Sequence, residues 1–225
     1  WTQIFNAGNI PSESIVMKAR PSDDGPTPSY TPVPIDEVVA AIKAERPDMF
    51  FAPHVETSAG MILPEAYMRA IGDAMHDVGG LFVLDCIASG TIWVDMEAAG
   101  VDILISAPQK GWSASPCAAL VMMNERARTA IDDTTSSSFA CDLKKWLSIM
   151  EIYEGGGHAY HATMPTDALA QFHETMKETE AYGFEKISAE QQELGDKVRA
   201  MLERKGFKSV AADGLPPLPP VSFLS

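Results

Sequence analysis

The sequence predicts an α/β fold: a mostly parallel sheet flanked by helices. Three observations point to it. Over the first half, short apolar runs alternate with segments of helical periodicity, and strands joined through helices run parallel. The runs are apolar at successive residues rather than alternate ones, as in strands buried on both faces. The chain has 225 residues, 46% of them hydrophobic, and a chain of that length buries roughly 70% of its unfolded surface without disulfide staples.

The elements follow in order. Residues 15–20 (IVMKAR) read as a short strand. Residues 21–34 hold five prolines in 14 positions and read as a loop, because proline lacks the N–H that a helix or ladder needs. Ile35, Val38, Val39 and Ile42 repeat at i, i+3, i+4 and i+7 behind Pro34, which predicts a helix over about 35–46. MFFAPHV (49–55) is an apolar strand. A helix starts near Pro64, carries Met68, Ile71 and Met75 on one face, and ends at Gly79-Gly80. LFVLDC (81–86), VDILISA (101–107) and CAALVMM (117–123) read as buried strands. After the loop 134–140 the chain is mostly helical. Trp146, Ile149, Met150 and Tyr153 mark one helix, broken at Gly155-Gly156-Gly157. Leu169, Phe172 and Met176 mark the next. Ile187, Leu194, Val198, Met201 and Leu202 mark a long one, ended by Gly206. FKSVA (207–211) and the segment from Val221 to Ser225 read as strands of a new unit, and Pro216 to Pro220 as a rigid connection. Most of the 12 methionines fall on helix faces and read as core.

Charge narrows the function classes. Seventeen basic residues against 31 acidic ones give a net charge of −14. Nucleic-acid and anionic-membrane surfaces need clustered positive charge, so neither partner is expected. No apolar run approaches the ~20 residues that span a bilayer. Three cysteines without paired spacing fit a reduced, cytoplasmic compartment.

In parallel α/β sheets, ligands bind outside the carboxyl ends of the strands. Strand 49–55 ends in His54-Val-Glu56-Thr57-Ser58, the strand at 81 ends in Asp85, and the strand at 101 is followed by Gln109-Lys110-Gly111. Taken singly, each has an ordinary explanation. Asp85 could cap a helix, Lys110 could be a solvated surface lysine, Thr57 and Ser58 could shape a turn, and His54 could be a satisfied core imidazole. Together they describe one chemistry. A lysine amine forms a Schiff base with an aldehyde cofactor. A buried carboxylate keeps the cofactor's pyridine nitrogen protonated as an electron sink. At ~4 Å and an effective dielectric of 20, that charge pair contributes about 4 kcal/mol.

The stretches HVETSAG (54–60), LDCIASG (84–90), GVDILISAPQKGW (100–112) and PCAALVMM (116–123) resemble the class V aminotransferases of pyridoxal-phosphate fold type I. Within that family they are most similar to the alanine/serine–glyoxylate aminotransferases. The 25-residue separation of Asp85 and Lys110 fits, and YHATMP (160–165) resembles a later motif. The resemblance implies pyridoxal 5'-phosphate as cofactor. It implies that Lys110 bears the cofactor and shuttles a proton, and that Asp85 pairs with the pyridinium. It further implies Ile87 against one ring face, Thr57 on the phenolic oxygen and Gln109 on the phosphate. Tyr160 and Thr163 would reach the phosphate held by the neighbouring subunit, which makes a homodimer. The implied substrates are a small amino acid of alanine or serine type and a small 2-oxo acid such as glyoxylate or pyruvate. The cysteine-desulfurase branch of the family usually has a histidine before the lysine; Gln109 stands there and favours transamination.

The family's phosphate-cradling glycine turn and stacked aromatic would precede Trp1, and its substrate-carboxylate arginine would follow Ser225. The sequence is therefore expected to be the middle of a chain of roughly 400 residues and to carry half an active site. Residues 1–182 would be the C-terminal part of a large cofactor-binding domain, and 183–225 the start of a small one. Two rival readings remain at this point: a metal-dependent hydrolase using His54, Glu56 and Asp85 (with His158 and His161 as further candidates), and a non-catalytic dimerising remnant.

Overall fold

The computed structural model describes residues 1–10, 13–212 and 223–224. In chain order its elements are α1 (Thr2–Gly8), β1 (Arg20–Pro21), β2 (Tyr30–Thr31), α2 (Ile35–Glu45), β3 (Met49–Pro53), β4 (Val55–Glu56), β5 (Met61–Ile62), α3 (Glu65–Val78), β6 (Leu81–Asp85), α4 (Met96–Ala99), β7 (Ile103–Ser106), β8 (Leu120–Met123), α5 (Glu125–Asp132), α6 (Leu143–Glu154), α7 (Thr166–Tyr182), α8 (Phe184–Arg204), β9 (Lys208–Ser209) and β10 (Phe223–Leu224). The central sheet has the order β3-β6-β7-β8. β3, β6 and β7 are parallel, and β8 runs antiparallel along β7.

Alternation along β6 divides the core. Phe82 and Leu84 face the helices α2 and α3, where they bury Val38, Ile42, Met68, Ile71 and Met75. Val83 points to the opposite face, with Ile103, Ala127 and flanking Phe51 and Val121. Both faces of the sheet are thus covered, which is why its strands are apolar at successive residues. Each large side chain buried this way contributes roughly 1.5–3 kcal/mol. Trp1, which precedes α1, and Phe5 within it lie against Phe51, with ring centroids 5.1 and 4.8 Å from it.

The N-terminal end of the sheet is tied by one carboxylate. Asp102, which has no exposed surface, accepts the Phe82 N–H at 2.8 Å, the Asn124 amide at 2.8 Å, His76 Nε2 at 3.1 Å and Arg126 Nη1 at 3.1 Å. Asn124 also caps α5 by accepting the Ala127 N–H at 3.0 Å, and Arg126 Nη2 donates to the Gly80 carbonyl at 3.1 Å. The four donors come from α3, β6, the residue after β8, and α5.

Several expectations need correction. Of residues 15–20 only Arg20 enters a strand, pairing with Thr31 in a two-residue ladder. Ile15 and Val16 are exposed, and of the apolar run 15–17 only Met17 packs against the core. Residues 117–119 are not strand, and β8 is a half-exposed strand bordering the sheet rather than a buried one. Strand 49–55 breaks at His54, because Val55 leaves the sheet to pair with Ile62 in a separate hairpin. The methionine faces divide: Met68 and Met75 are core, whereas Met150, Met176 and Met201 are exposed among the described residues. The connection expected at 216–220 lies outside the described residues. β9 and β10 do pair, antiparallel.

Removing the Asp102 carboxylate leaves a backbone N–H, an amide and a guanidinium without their acceptor. Asp102→Ala is expected to lose about 3 kcal/mol of stability, read as a lower urea midpoint with unchanged slope.

Candidate active site

The register of the parallel strands decides what meets at their carboxyl ends. Pro53 pairs with Asp85, and Asp85 with Ile105. The ladder continues one step past the strands: the His54 N–H donates to the Asp85 carbonyl at 2.9 Å, and the Cys86 N–H to the Ile105 carbonyl at 2.8 Å. The segments carrying Thr57, Asp85 and Lys110 therefore leave one edge of the sheet from three adjacent strands.

Asp85 ends β6 half-buried. Its Oδ1 accepts the Ile87 N–H at 2.9 Å, which shapes the turn after the strand. It does not cap a helix. Among the described residues nothing donates to Oδ2, so one carboxylate oxygen is open. Ile87, two residues on, is half-buried in the same turn.

Lys110 sits in the tight turn after β7, held by backbone bonds from Lys110 N–H to the Ala107 carbonyl, Ser113 N–H to the Lys110 carbonyl and Ala114 N–H to the Pro108 carbonyl, 3.0–3.4 Å long. Its side chain and that of Gln109 are exposed. In a chain with 31 acidic residues, the Lys110 amine has no ion-pair or hydrogen-bond partner among the described residues. The residue after it explains the fit of the turn. Gly111 packs directly on the Gly90 backbone, and a Cβ there would overlap the Gly90 carbonyl oxygen.

Thr57 is exposed in the turn of the β4–β5 hairpin. That turn is organised by Glu56, whose carboxylate accepts the Ser58 N–H at 3.2 Å and the Ala59 N–H at 2.6 Å. His54 is buried, with Nδ1 2.8 Å from Ser89 Oγ. Burial lowers its pKa to about 4, so the imidazole is neutral. Burial likewise pushes the Cys86 thiol up to about 12, which makes it inert beside Asp85.

Tyr160 and Thr163 lie in the segment between α6 and α7. Their hydroxyls are 3.2 Å apart, and Tyr160 is 75% exposed. No hydrogen bond or ion pair among the described residues joins them to Asp85 or Lys110. The structure thus brings one subset of the expected residues to the strand ends, and this pair is exposed on the segment between α6 and α7.

The metal reading is overturned. Glu56 is folded back on its own turn, His54 is paired with Ser89, and His161 Nε2 contacts the Phe139 carbonyl at 3.0 Å with its ring against Phe139 and Trp146. Among the described residues no three metal-ligating side chains converge. Sequence reasoning missed Ser89, Gly90 and Gln191 as parts of the site. The first two stand in LDCIASG, but nothing in their spacing reveals that Gly90 meets Gly111.

Two outcomes follow from this geometry. Gly111→Ala must displace either the Gly90 turn or the Lys110 turn, and is expected to lower the melting temperature by several degrees, on the order of a 1–3 kcal/mol loss. His54 stays neutral in the folded state but is protonated below pH 6.5 when unfolded. The unfolded state then binds more protons, so stability is full above pH 6.5 and falls as pH drops towards about 4. Urea midpoints measured across that window should show a decline of about 3 kcal/mol, and most of it should vanish in His54→Asn.

The chain is similar to known proteins over most of its length. The sequence model for aminotransferase class-V matches residues 27–214. An alanine–glyoxylate aminotransferase of Oryctolagus cuniculus is 26% identical over 213 residues, 93% of this chain and 53% of the relative. An L-aspartate–glyoxylate aminotransferase of Paracoccus denitrificans is 27% identical over 188 residues, 82% of this chain and 46% of the relative. The crystal structure of an alanine–glyoxylate aminotransferase from Nostoc sp. superposes with a TM-score of 0.71 at 24% identity, over 82% of this chain and 48% of that one. The chain spans about half the length of the curated relatives it matches. With its strand ends built as described and a match across most of its length, the chain belongs to the aminotransferase class-V family.

Proposed function

We propose that the complete protein is a pyridoxal-phosphate-dependent aminotransferase that moves an amino group from a small amino acid to a small 2-oxo acid such as glyoxylate. The observation that carries this is that an amine without an ion-pair partner among the described residues, Lys110, and a half-open carboxylate, Asp85, follow adjacent parallel strands at the same end of the sheet. The names of the relatives, which are alanine–glyoxylate and L-aspartate–glyoxylate aminotransferases, support the choice of acceptor.

The residues present fit the cofactor. A Schiff-base lysine must have no competing charge partner, and Lys110 has none among the described residues. A carboxylate that holds a ring N–H needs a free oxygen, and Asp85 Oδ2 offers one. When bound, pyridoxal phosphate supplies a carbonyl for amine capture and an electron sink for cleavage of bonds to the substrate α-carbon. The protein's part is to place and protonate. Asp85 holds the proton on the ring nitrogen, and Ile87 covers one ring face. Thr57 and Gln109 hold the phenolic and phosphate oxygens. Lys110 Nζ takes the proton from the substrate α-carbon and delivers it again.

The homodimer belongs to the same proposal. Tyr160 and Thr163 would serve the neighbouring subunit's site. Phe139 is 70% exposed, and Met150 and Tyr153 are more than half exposed, which leaves apolar side chains for a second copy to cover. Residues 183–225 are proposed to open the small domain. Cytoplasmic location is proposed as well, in keeping with three unpaired cysteines. Among the described residues no helix is long and apolar enough to cross a membrane.

Borohydride treatment of the complete protein is expected to fix the cofactor on Lys110, seen as a mass shift on the peptide that contains it. Lys110→Ala should lose that adduct and slow transamination from alanine to glyoxylate by roughly a thousand-fold. An adduct on another lysine, or none, would sink the assignment.

A further inference from the structure

The turn that holds Lys110 is supported from far along the chain. Gln191, in α8, uses its side-chain oxygen to accept both the Thr91 N–H and the Thr91 hydroxyl, each at 2.7 Å. Its side-chain nitrogen reaches the Ser89 carbonyl at 3.4 Å. The amide occupies the volume where a side chain at Gly90 would stand. A Cβ on Gly90 would lie 2.5 Å from Gln191 Nε2, and Gly90 is in the left-handed region with φ +63°. Three consecutive residues, Ser89, Gly90 and Thr91, are thus set by one side chain.

That turn has two neighbours that matter. Ser89 Oγ meets His54 at the end of β3. Gly90 is the surface on which Gly111 rests, one residue from Lys110. A second tie runs alongside. The Trp93 indole N–H donates to the Phe184 carbonyl at the start of α8, 3.0 Å away. The Trp93 ring lies 5.0 Å from Trp112 and 5.4 Å from Phe184. Both turns at the carboxyl ends of β6 and β7 therefore rest on α8.

We propose that Gln191 is a positioning residue: it fixes the Ser89–Thr91 turn, and through the Gly90–Gly111 contact it fixes the placement of the Lys110 amine. This rests on the reading of Lys110 as the cofactor lysine. It adds that α8 sets the position of the reactive amine, so a shift of that helix moves Lys110.

The test compares the complete wild-type protein with Gln191→Leu, which keeps the volume and loses the polar atoms, and Gln191→Glu, which keeps an oxygen facing both Thr91 donors. Amide hydrogen exchange is followed in peptides covering 88–93 and 107–113, and pyridoxal phosphate is titrated in by its visible absorbance. Gln191→Leu should speed exchange in both peptides while α3 keeps its protection, and should weaken pyridoxal phosphate binding roughly 10-fold. Gln191→Glu should recover most of both. Unchanged exchange at 107–113 in Gln191→Leu overturns the proposal, as does loss of protection throughout the chain or a Gln191→Glu variant no better than Gln191→Leu. Absence of an adduct on wild-type Lys110 would sink the functional reading alone, because the exchange readout needs no cofactor and still decides the role of Gln191.

Discussion

Asp102 cannot leave its place without stranding a charge. It has no exposed surface, and its two oxygens serve donors from α3, β6, the end of β8 and α5. A buried carboxylate tolerates little loss of partners, because each unmade bond costs the desolvation of the group left behind. The consequence is felt at the other end of the sheet. In a β-ladder a slip of one residue turns every side chain to the opposite face. With Asp102 bonded to the Phe82 N–H, β6 and β7 hold one register, and Asp85 comes to stand beside Ile105. The position of the candidate catalytic carboxylate is thus set by a polar cluster at the far end of the strand.

Beyond the strand ends, hydrogen-bond ladders no longer fix positions, and packing takes over. Gly111 and Gly90 touch backbone to backbone, which is closer than any side chain permits. Such a contact carries little energy of its own, but it has one geometry. The neighbouring rings of Trp93, Trp112, Phe172 and Phe184 fill the adjoining space in tilted and edge-to-face pairs. Register therefore fixes the site as far as Asp85, and packing on Gly90 places Lys110.

How much of this the sequence shows depends on the range of the interaction. The central strands are legible because burial on both faces demands runs such as LFVLD, and α2 and α3 because their apolar residues recur with the helical period. Asp85 and Lys110 are legible because a strand end is a place that sequence can locate. The failures share a cause. Ile15 and Val16 have strand-forming chemistry but stay exposed while Met17 takes the contact with the core, and propensity gives way to tertiary context. The apolar residues of α6 and α8 have helical period, yet Met150 and Leu194 are exposed among the described residues, since periodicity says which face is apolar and not what covers it. Gln191 contacts a turn 100 residues earlier, and no local pattern encodes that. His54 and Glu56 offered metal-ligand chemistry, and only the structure shows both spent on their own neighbours.

The separation of Asp85 from Lys110 is itself a chemical requirement. A carboxylate about 4 Å from an ammonium, at an effective dielectric of 20, would favour the charged amine by about 4 kcal/mol. An amine held that way neither attacks a carbonyl nor accepts a proton readily. Yet the proposed chemistry needs a carboxylate in the same site, facing the ring nitrogen. The fold meets both demands by using different structural levels. Asp85 is part of the sheet, with Oδ1 tied to its own turn and Oδ2 open. Lys110 stands five residues past Ile105, the Asp85 partner, on a turn that rests on Gly90. The carboxylate and the proposed nucleophile are thus placed by different constraints, the register for Asp85 and the Gly90–Gly111 contact for Lys110. A change at Gly111 therefore acts on the amine first, while the β6–β7 register still holds Asp85 beside Ile105.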